Sequence, residues 1–267
     1  MKVYISSDIE GTCGICHWDE TDYDRGGRWY DYFREQMSKE AASAARGAFS
    51  AGASEVTVKD AHDSARNLIP SYFPKEARFI RGWPGNPECM IDGIGMGYDA
   101  AAFTGYHSNA GSAANPLAHT MTTKAYRVWL NNELASEFMI HAYAAMLHKA
   151  KPIFVSGDES LCIQAEKLVP GIVSTPVVSG MGGGSFSLHP EQAAENIETG
   201  MKTAVERFQS IPQPKLPDSF EAAIEYAKHE DANRMSHFPG ASRSGTHSVS
   251  FSHSDYYEIL RFFLFVL

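Results

Sequence analysis

Lys2-Val3-Tyr4-Ile5-Ser6-Ser7-Asp8-Ile9-Glu10-Gly11 opens with a β-branched and aromatic run and stops in two carboxylates. Lys2–Ser7 therefore reads as a strand whose end carries acid. The same device recurs further along. Glu55–Lys59 reads as a second strand and ends in Asp60-Ala61-His62, and Ala100–Thr104 reads as another and ends in Gly105-Tyr106-His107. Between the first two, Trp29–Ala51 is rich in Ala, Glu, Met and Arg. It sets Phe33, Met37, Ala41, Ala44 and Ala48 on one helical face, and Gly52 closes it. Ala77–Ile80 reads as a short strand, Tyr126–Leu130 as extended and Glu133–His148 as a helix. Pro152–Ser156 and Ile172–Val178 read as strands, Glu159–Leu168 and His189–Gln209 as helices. Strands alternating with helices predict an α/β fold, a three-layer αβα arrangement on a mainly parallel sheet. Pro212, Pro214 and Pro217 mark a linker. Residues 1–211 are expected to form the αβα domain. Residues 212–267 are expected to form a small C-terminal α+β unit packed on it, from strands at Ser219–Glu225 and Ser244–Phe251 and a helix at Asp255–Leu267.

Composition narrows the classes of function. The 267 residues are 43% hydrophobic and 21% charged, ordinary values for a folded globular chain. A formal net charge of −9 leaves no electrostatic footprint for nucleic acid or for an anionic membrane surface. No apolar run approaches the roughly 18 residues of a membrane span. The longest, Phe262–Leu267, is expected to bury in the core or in a subunit interface. The first residues carry no apolar region followed by a cleavage site, and cysteine usage is sparse, so a cytoplasmic protein is expected.

Three patterns compete with the strand-end acids. Cys13-Gly14-Ile15-Cys16-His17 matches haem attachment or a redox pair, but two unlinked thiols are the favoured reading. Gly180–Ser185 lacks the Gly-Lys-Ser/Thr ending of a phosphate loop and reads as a flexible connection. Gly93-x-Gly95-x-Gly97 lacks a full dinucleotide fingerprint and reads as a turn. His141 and His148 read as packed or surface residues. His229, His237, His247 and His253 crowd the C-terminal unit, where a second metal site is the less favoured reading.

In open parallel sheets ligands bind outside the carboxyl ends of the strands, so Asp8, Glu10, His62 and His107 can meet at one edge. Adjacent carboxylates there repel and resist burial unless a cation or proton compensates them. Imidazole mixed with carboxylate favours zinc or a similar transition metal over magnesium. Asp-x-Glu binding magnesium and phosphate, or capping a turn, is the competing reading. Asp60 either orients a ligand histidine or caps a turn.

Five short motifs follow one another in order: Ser7-Asp8-Ile9-Glu10-Gly11, Val58-Lys59-Asp60-Ala61-His62, Gly105-Tyr106-His107, Ala118-His119-Thr120-Met121, and Asn131-Asn132-Glu133 through Glu137. Together they resemble the D-aminopeptidases of the dipeptide-permease operon type, the M55 metallopeptidase family. The resemblance runs over most of the chain and is strongest from residue 1 to about 180. It implies two zinc ions per subunit, held by Asp8, Glu10, His62, His107 and Glu137, with Asp8 between them and Glu133 the competing acid for the last place. It also implies that His119 is the catalytic histidine, and that the protein is a ring-built homo-oligomer, with a decamer as the candidate size. Cys13, Cys16, His17, Trp18 and the small-residue stretch Ser108–Leu117 depart from the pattern. The activity implied is hydrolysis of short peptides or aminoacyl amides with D-amino-acid N-termini by a metal-bound hydroxide. In that chemistry His119 either stabilises the oxyanion or protonates the leaving amine. Two rivals stand beside it. A phosphoesterase would draw on Arg66 or Lys124, and a non-catalytic peptide-binding module would keep its metals as structure.

Overall fold

The structure, a computed structural model, describes residues 1–24, 27 and 29–267. The first half runs β1 (Lys2–Ser7), α1 (Tyr30–Ser50), β2 (Glu55–Asp60), β3 (Arg78–Ile80), β4 (Ala100–Tyr106), β5 (Ala125–Leu130), β6 (Glu133–Leu134) and α2 (Glu137–Leu147). The second runs β7 (Lys151–Asp158), α3 (Glu159–Leu168), β8 (Val173–Met181), β9 (Gly184–Ser187), α4 (Pro190–Glu206), β10 (Phe220–Tyr226), α5 (His229–Met235), β11 (Ser242–Arg243), β12 (Ser248–His253) and α6 (Tyr256–Val266).

The main sheet has the order β3-β2-β1-β4-β7-β8-β9 and is parallel except for β9. Its central strands β2, β1, β4 and β7 are buried on both faces, as in a parallel sheet between helices, while the edge strands β3 and β9 are partly exposed. Val3 and Ile5 of β1 pack with Met37 and Ala41 of α1 and Ile197 and Met201 of α4. Tyr4, pointing the other way, joins Phe138 and Ala142 of α2 and Leu161 of α3. These layers are the α/β arrangement expected from the alternating pattern.

Three local readings change. The expected helix from Glu133 starts later, because Asn131 (φ +52°) and Asn132 (φ +66°) make a tight hairpin turn and send Glu133–Leu134 back along β5. The helix begins at Glu137, behind Ser136, whose hydroxyl accepts from the Met139 amide. Gly180–Ser185 forms the tip of the β8–β9 hairpin rather than a flexible connection. The short helix α5 was not foreseen; among its residues only Ala232 is buried, so it shows no apolar face.

A second, antiparallel sheet has the order β11-β12-β10-β5-β6. It draws on both sides of the 211/212 boundary, since Ala222 of β10 pairs with Leu130 of β5. α6 buries Phe262, Phe263 and Val266 against this core and leaves Phe265 exposed. No helix of the described residues is long and apolar enough to cross a membrane.

Candidate metal centre

Strand order reverses at β1, so a crevice opens beyond the carboxyl ends of β1 and β4. Hydrogen bonds close those ends on each other. The Asp8 amide donates to Thr104 O and the Gly11 amide to Gly105 O, both at 2.8 Å. Only glycine permits this approach. A Cβ on Gly11 would lie 1.8 Å from Tyr106 O, and one on Gly105, at φ +68°, would lie 2.2 Å from Asp8 O. On the other side the Ala61 amide donates to Ser7 O at 2.8 Å, which brings the loop after β2 alongside Asp8.

Asp8, Glu10, His62, His107, His119 and Glu137 all meet in this crevice, as the strand-end argument and the family motifs had placed them. His62 Nδ1 lies 3.3 Å from Asp8 Oδ1 and 3.1 Å from Glu10 Oε2. His107 Nε2 lies 3.5 Å from Asp8 Oδ2 and 3.3 Å from Glu137 Oε2. His119 Nε2 lies 3.5 Å from Glu137 Oε1 and 4.0 Å from Glu10 Oε1. Among the described residues three groups can each offer ligand atoms within 4.8 Å of one another: Asp8-Glu10-His62, Asp8-His107-Glu137 and Glu10-His107-His119. The first two share Asp8.

Each imidazole is held by a backbone carbonyl on its far side. His62 Nε2 donates to Thr21 O at 2.8 Å, His107 Nδ1 to Ser108 O at 3.0 Å and His119 Nδ1 to Leu117 O at 2.9 Å. A carbonyl only accepts, so that nitrogen carries a proton and the other ring nitrogen is turned to the carboxylates. Asp60 does not orient His62. Its carboxylate accepts from the amides of Asn67 and Leu68, and Asn67 Nδ2 donates to His62 O at 2.7 Å, so Asp60 shapes the loop. Glu137 is the first residue of α2, where the helix dipole favours a carboxylate, and its Oε1 accepts from the Met121 amide at 2.6 Å. Glu133, the competing acid, is exposed in β6.

The electrostatics tie the buried acids and imidazoles to one another. Burial, then the neighbouring Glu10, pushes the Asp8 carboxyl well above the usual range. Burial also pushes Glu10 and Glu137 up, but imidazoles outweigh it: His62 first holds Glu10 well below its usual range, and His107 first holds Glu137 at about 2. Burial opposes charge on His62 and His107, yet Glu10 and Glu137 respectively hold them well above the ordinary histidine range. Burial and the stacked His107 lower His119. Asp8 Oδ2, Glu10 Oε2 and His107 Nε2 are buried and have no hydrogen-bond partner. Two carboxylate oxygens and an imidazole nitrogen that are buried without partners and face one another fit a divalent cation.

The centre lies at the base of a cavity of about 440 Å³ walled by Trp18, Trp83, Cys89 and Met121. His119 stacks on His107 (centroids 4.4 Å, 10° between planes) and meets the edge of Trp18 at 5.2 Å. Two supports of the cavity, one behind its wall and one on it, escaped the sequence reading. Lys59 is fully buried at the end of β2, with Nζ 4.1 Å from the Trp83 ring centroid, and burial lowers it to about 8. Met121 supplies the amide that holds Glu137. Periodicity marks neither residue, because both contacts are made across loops.

Other residues fall outside the centre. All four cysteines are free; Cys13 Sγ donates to Leu188 O, and burial pushes its thiol to about 12. His141 is buried and lowered to about 4 by burial, and His148 bonds Glu88 at 2.9 Å. Arg66 and Lys124 are exposed, and among the described residues no Lys or Arg lines the cavity. Among the described residues no candidate metal cluster forms around the C-terminal histidines.

Fold and site together define a class: an α/β protein with an acid-and-imidazole centre suited to divalent cations at the carboxyl edge of its sheet. The D-aminopeptidase model of peptidase family M55 matches residues 1–265, and the chain belongs to that family of peptide hydrolases. A D-aminopeptidase from Bacillus subtilis (strain 168) is 29% identical over 260 residues, covering 97% of this chain and 93% of its own. The solved Zn-dependent D-aminopeptidase DppA from Bacillus subtilis, described as a self-compartmentalizing protease, superimposes with a TM-score of 0.92. It is 27% identical, with 100% of this chain and 96% of that one covered.

Proposed function

We propose that this chain is a zinc-dependent aminopeptidase cleaving short peptides or aminoacyl amides with D-amino-acid N-termini. Asp8, Glu10 and His62 would hold one ion, and Asp8, His107 and Glu137 a second. The observation that carries this reading is the pair of ligand groups sharing Asp8. Zinc bound there would supply a water of lowered pKa and a Lewis acid for the scissile carbonyl. The protein's own contribution is positional. Three carbonyl-held imidazoles and the amide-held Glu137 keep the donors in place. His119 presents Nε2 to the cavity while Nδ1 stays on Leu117 O, so it takes a proton at Nε2 and delivers it to the leaving amine. The cavity walls limit water around that transfer.

Residues 1–211 carry every residue of this centre, which supports treating them as the catalytic unit with 212–267 packed behind it. The self-compartmentalizing behaviour described for DppA supports a homo-oligomer, ring-built and with a decamer as the size to test. Free thiols support a cytoplasmic location. Elemental analysis of purified protein, light scattering for assembly, and a panel of D- and L-aminoacyl amides test the reading. Two zinc ions per chain and turnover of D-substrates are expected. A zinc-loaded protein that cleaves no aminoacyl amide of either hand would refute it.

A further inference from the structure

Beside the metal-centre cavity lies a second recess of about 140 Å³. Its walls include Ile140 and His141 of α2 and Phe263 and Leu264 of α6. Cys89 and Met121 line both spaces, so those two side chains form the threshold between them. Met121 has three rotatable bonds and a soft thioether, which lets the threshold adapt to what crosses it. α2 links the two spaces directly: its first residue is Glu137, and His141 stands one turn further on. His141 is 1% exposed and donates from Nδ1 to Glu137 O at 2.7 Å. Nε2 is left as an acceptor with no partner among the described residues.

We propose that this recess is a subsite of the aminopeptidase centre that receives an aliphatic side chain of the peptide substrate. The inference rests on the aminopeptidase reading and names the side-chain class it selects. Three observations carry it. The lining is apolar apart from the His141 ring and includes no Asp, Glu, Lys or Arg to pair a charged occupant. An apolar cavity of ~150 Å³ holds a benzene-sized group, so a leucyl side chain fits and an indole does not. The recess adjoins the metal-centre cavity, with Cys89 and Met121 lining both.

Leu264 provides the test. It is 38% exposed on the rim of the recess, so Leu264→Trp and Leu264→Ala change its width without breaching the core. With the zinc-loaded full-length enzyme, kcat/KM is measured for alanyl and leucyl amides of the productive hand. Leu264→Trp is expected to lower the leucyl value at least ~10-fold and to leave the alanyl value within ~2-fold, the scale of methylene discrimination in an apolar pocket. Leu264→Ala is expected to raise the phenylalanyl-to-leucyl ratio. An unchanged leucyl-to-alanyl ratio in both variants, at parental zinc content and melting temperature, overturns the proposal. So does a parent that accepts only the alanyl amide, or a Leu264→Trp enzyme whose sole change is its assembly state, which would mark the recess as a subunit contact. A parent that cleaves neither amide sinks the aminopeptidase reading itself, and the subsite with it.

Discussion

Replacing Asp8 by Asn should change stability in opposite directions with and without metal. Asp8 belongs to both ligand groups, Glu137 to one. An ion held at 100 times its dissociation constant stabilises the folded state by ~2.7 kcal/mol, so two should contribute ~5 kcal/mol. At roughly 2–4 °C per kcal/mol for a chain of this size, zinc should raise the parental melting temperature by roughly 10–20 °C. Asp8→Asn should abolish nearly all of that shift, and Glu137→Gln about half. In chelator the order reverses. Burial, then the nearby Glu10, disfavours charge on Asp8 in the metal-free fold, so the neutral amide removes the cost of burying or protonating that carboxyl. Metal-free Asp8→Asn should be at least as stable as the metal-free parent. Differential scanning calorimetry in EDTA and in excess zinc reads all six states. An equal loss of stability in both media would show that Asp8 is a structural hydrogen-bonding residue, and a full zinc shift in the variant would show that it is no ligand.

His119→Ala should keep parental zinc content and lose turnover by ~10²–10⁴-fold, the range for a general acid–base group; metal analysis beside steady-state kinetics reads both. Gly105→Ala should cost more than ~3 kcal/mol and lose zinc, because its Cβ would overlap Asp8 O at a left-handed φ; urea unfolding and metal content check it. Glu40, buried in α1 with Oε2 unpartnered, is raised to about 7, chiefly by burial. Its neutral form is favoured in the fold, so the stability it permits is fully present below the unfolded value near 4.5 and is lost as pH rises through 7. Glu40→Gln should therefore be more stable than the parent by ~3 kcal/mol at pH 8 and equal to it at pH 4.5, as measured by urea unfolding at the two pH values.

The strands that build the centre were legible because each ends in its own chemistry. β1, β2 and β4 lie within two residues of their expected bounds, and Asp8, Glu10, His62 and His107 stand just past those ends. Glu137 and His119 were not legible from strand periodicity and entered through the family motifs. One starts a helix behind a tight hairpin, and the other lies on a loop fixed by a single carbonyl contact. The second sheet was half read, because β5 pairs with β10 across some ninety residues of chain, and local pattern carries no information about partners at that separation. Met121 was quoted in a motif, but its amide bond to Glu137 depends on a left-handed backbone at φ +62° that no side-chain pattern announces.

The arrangement of protons explains why the cage can be ready before an ion arrives. A histidine free to rotate or change tautomer would satisfy a carboxylate by donating to it, and the centre would collapse into ordinary ion pairs. Carbonyls behind all three rings fix the proton on the far side, so rotation would forfeit a buried hydrogen bond and leave a carbonyl unpaired. The inner ring nitrogens and the carboxylate oxygens are then held facing one another at 3.1–3.5 Å, where a divalent cation can displace the protons that bind them in its absence. Preorganisation of this kind predicts tight, selective binding at the expense of metal-free stability, which is why the sign reversal at Asp8 tests the site more sharply than loss of activity does.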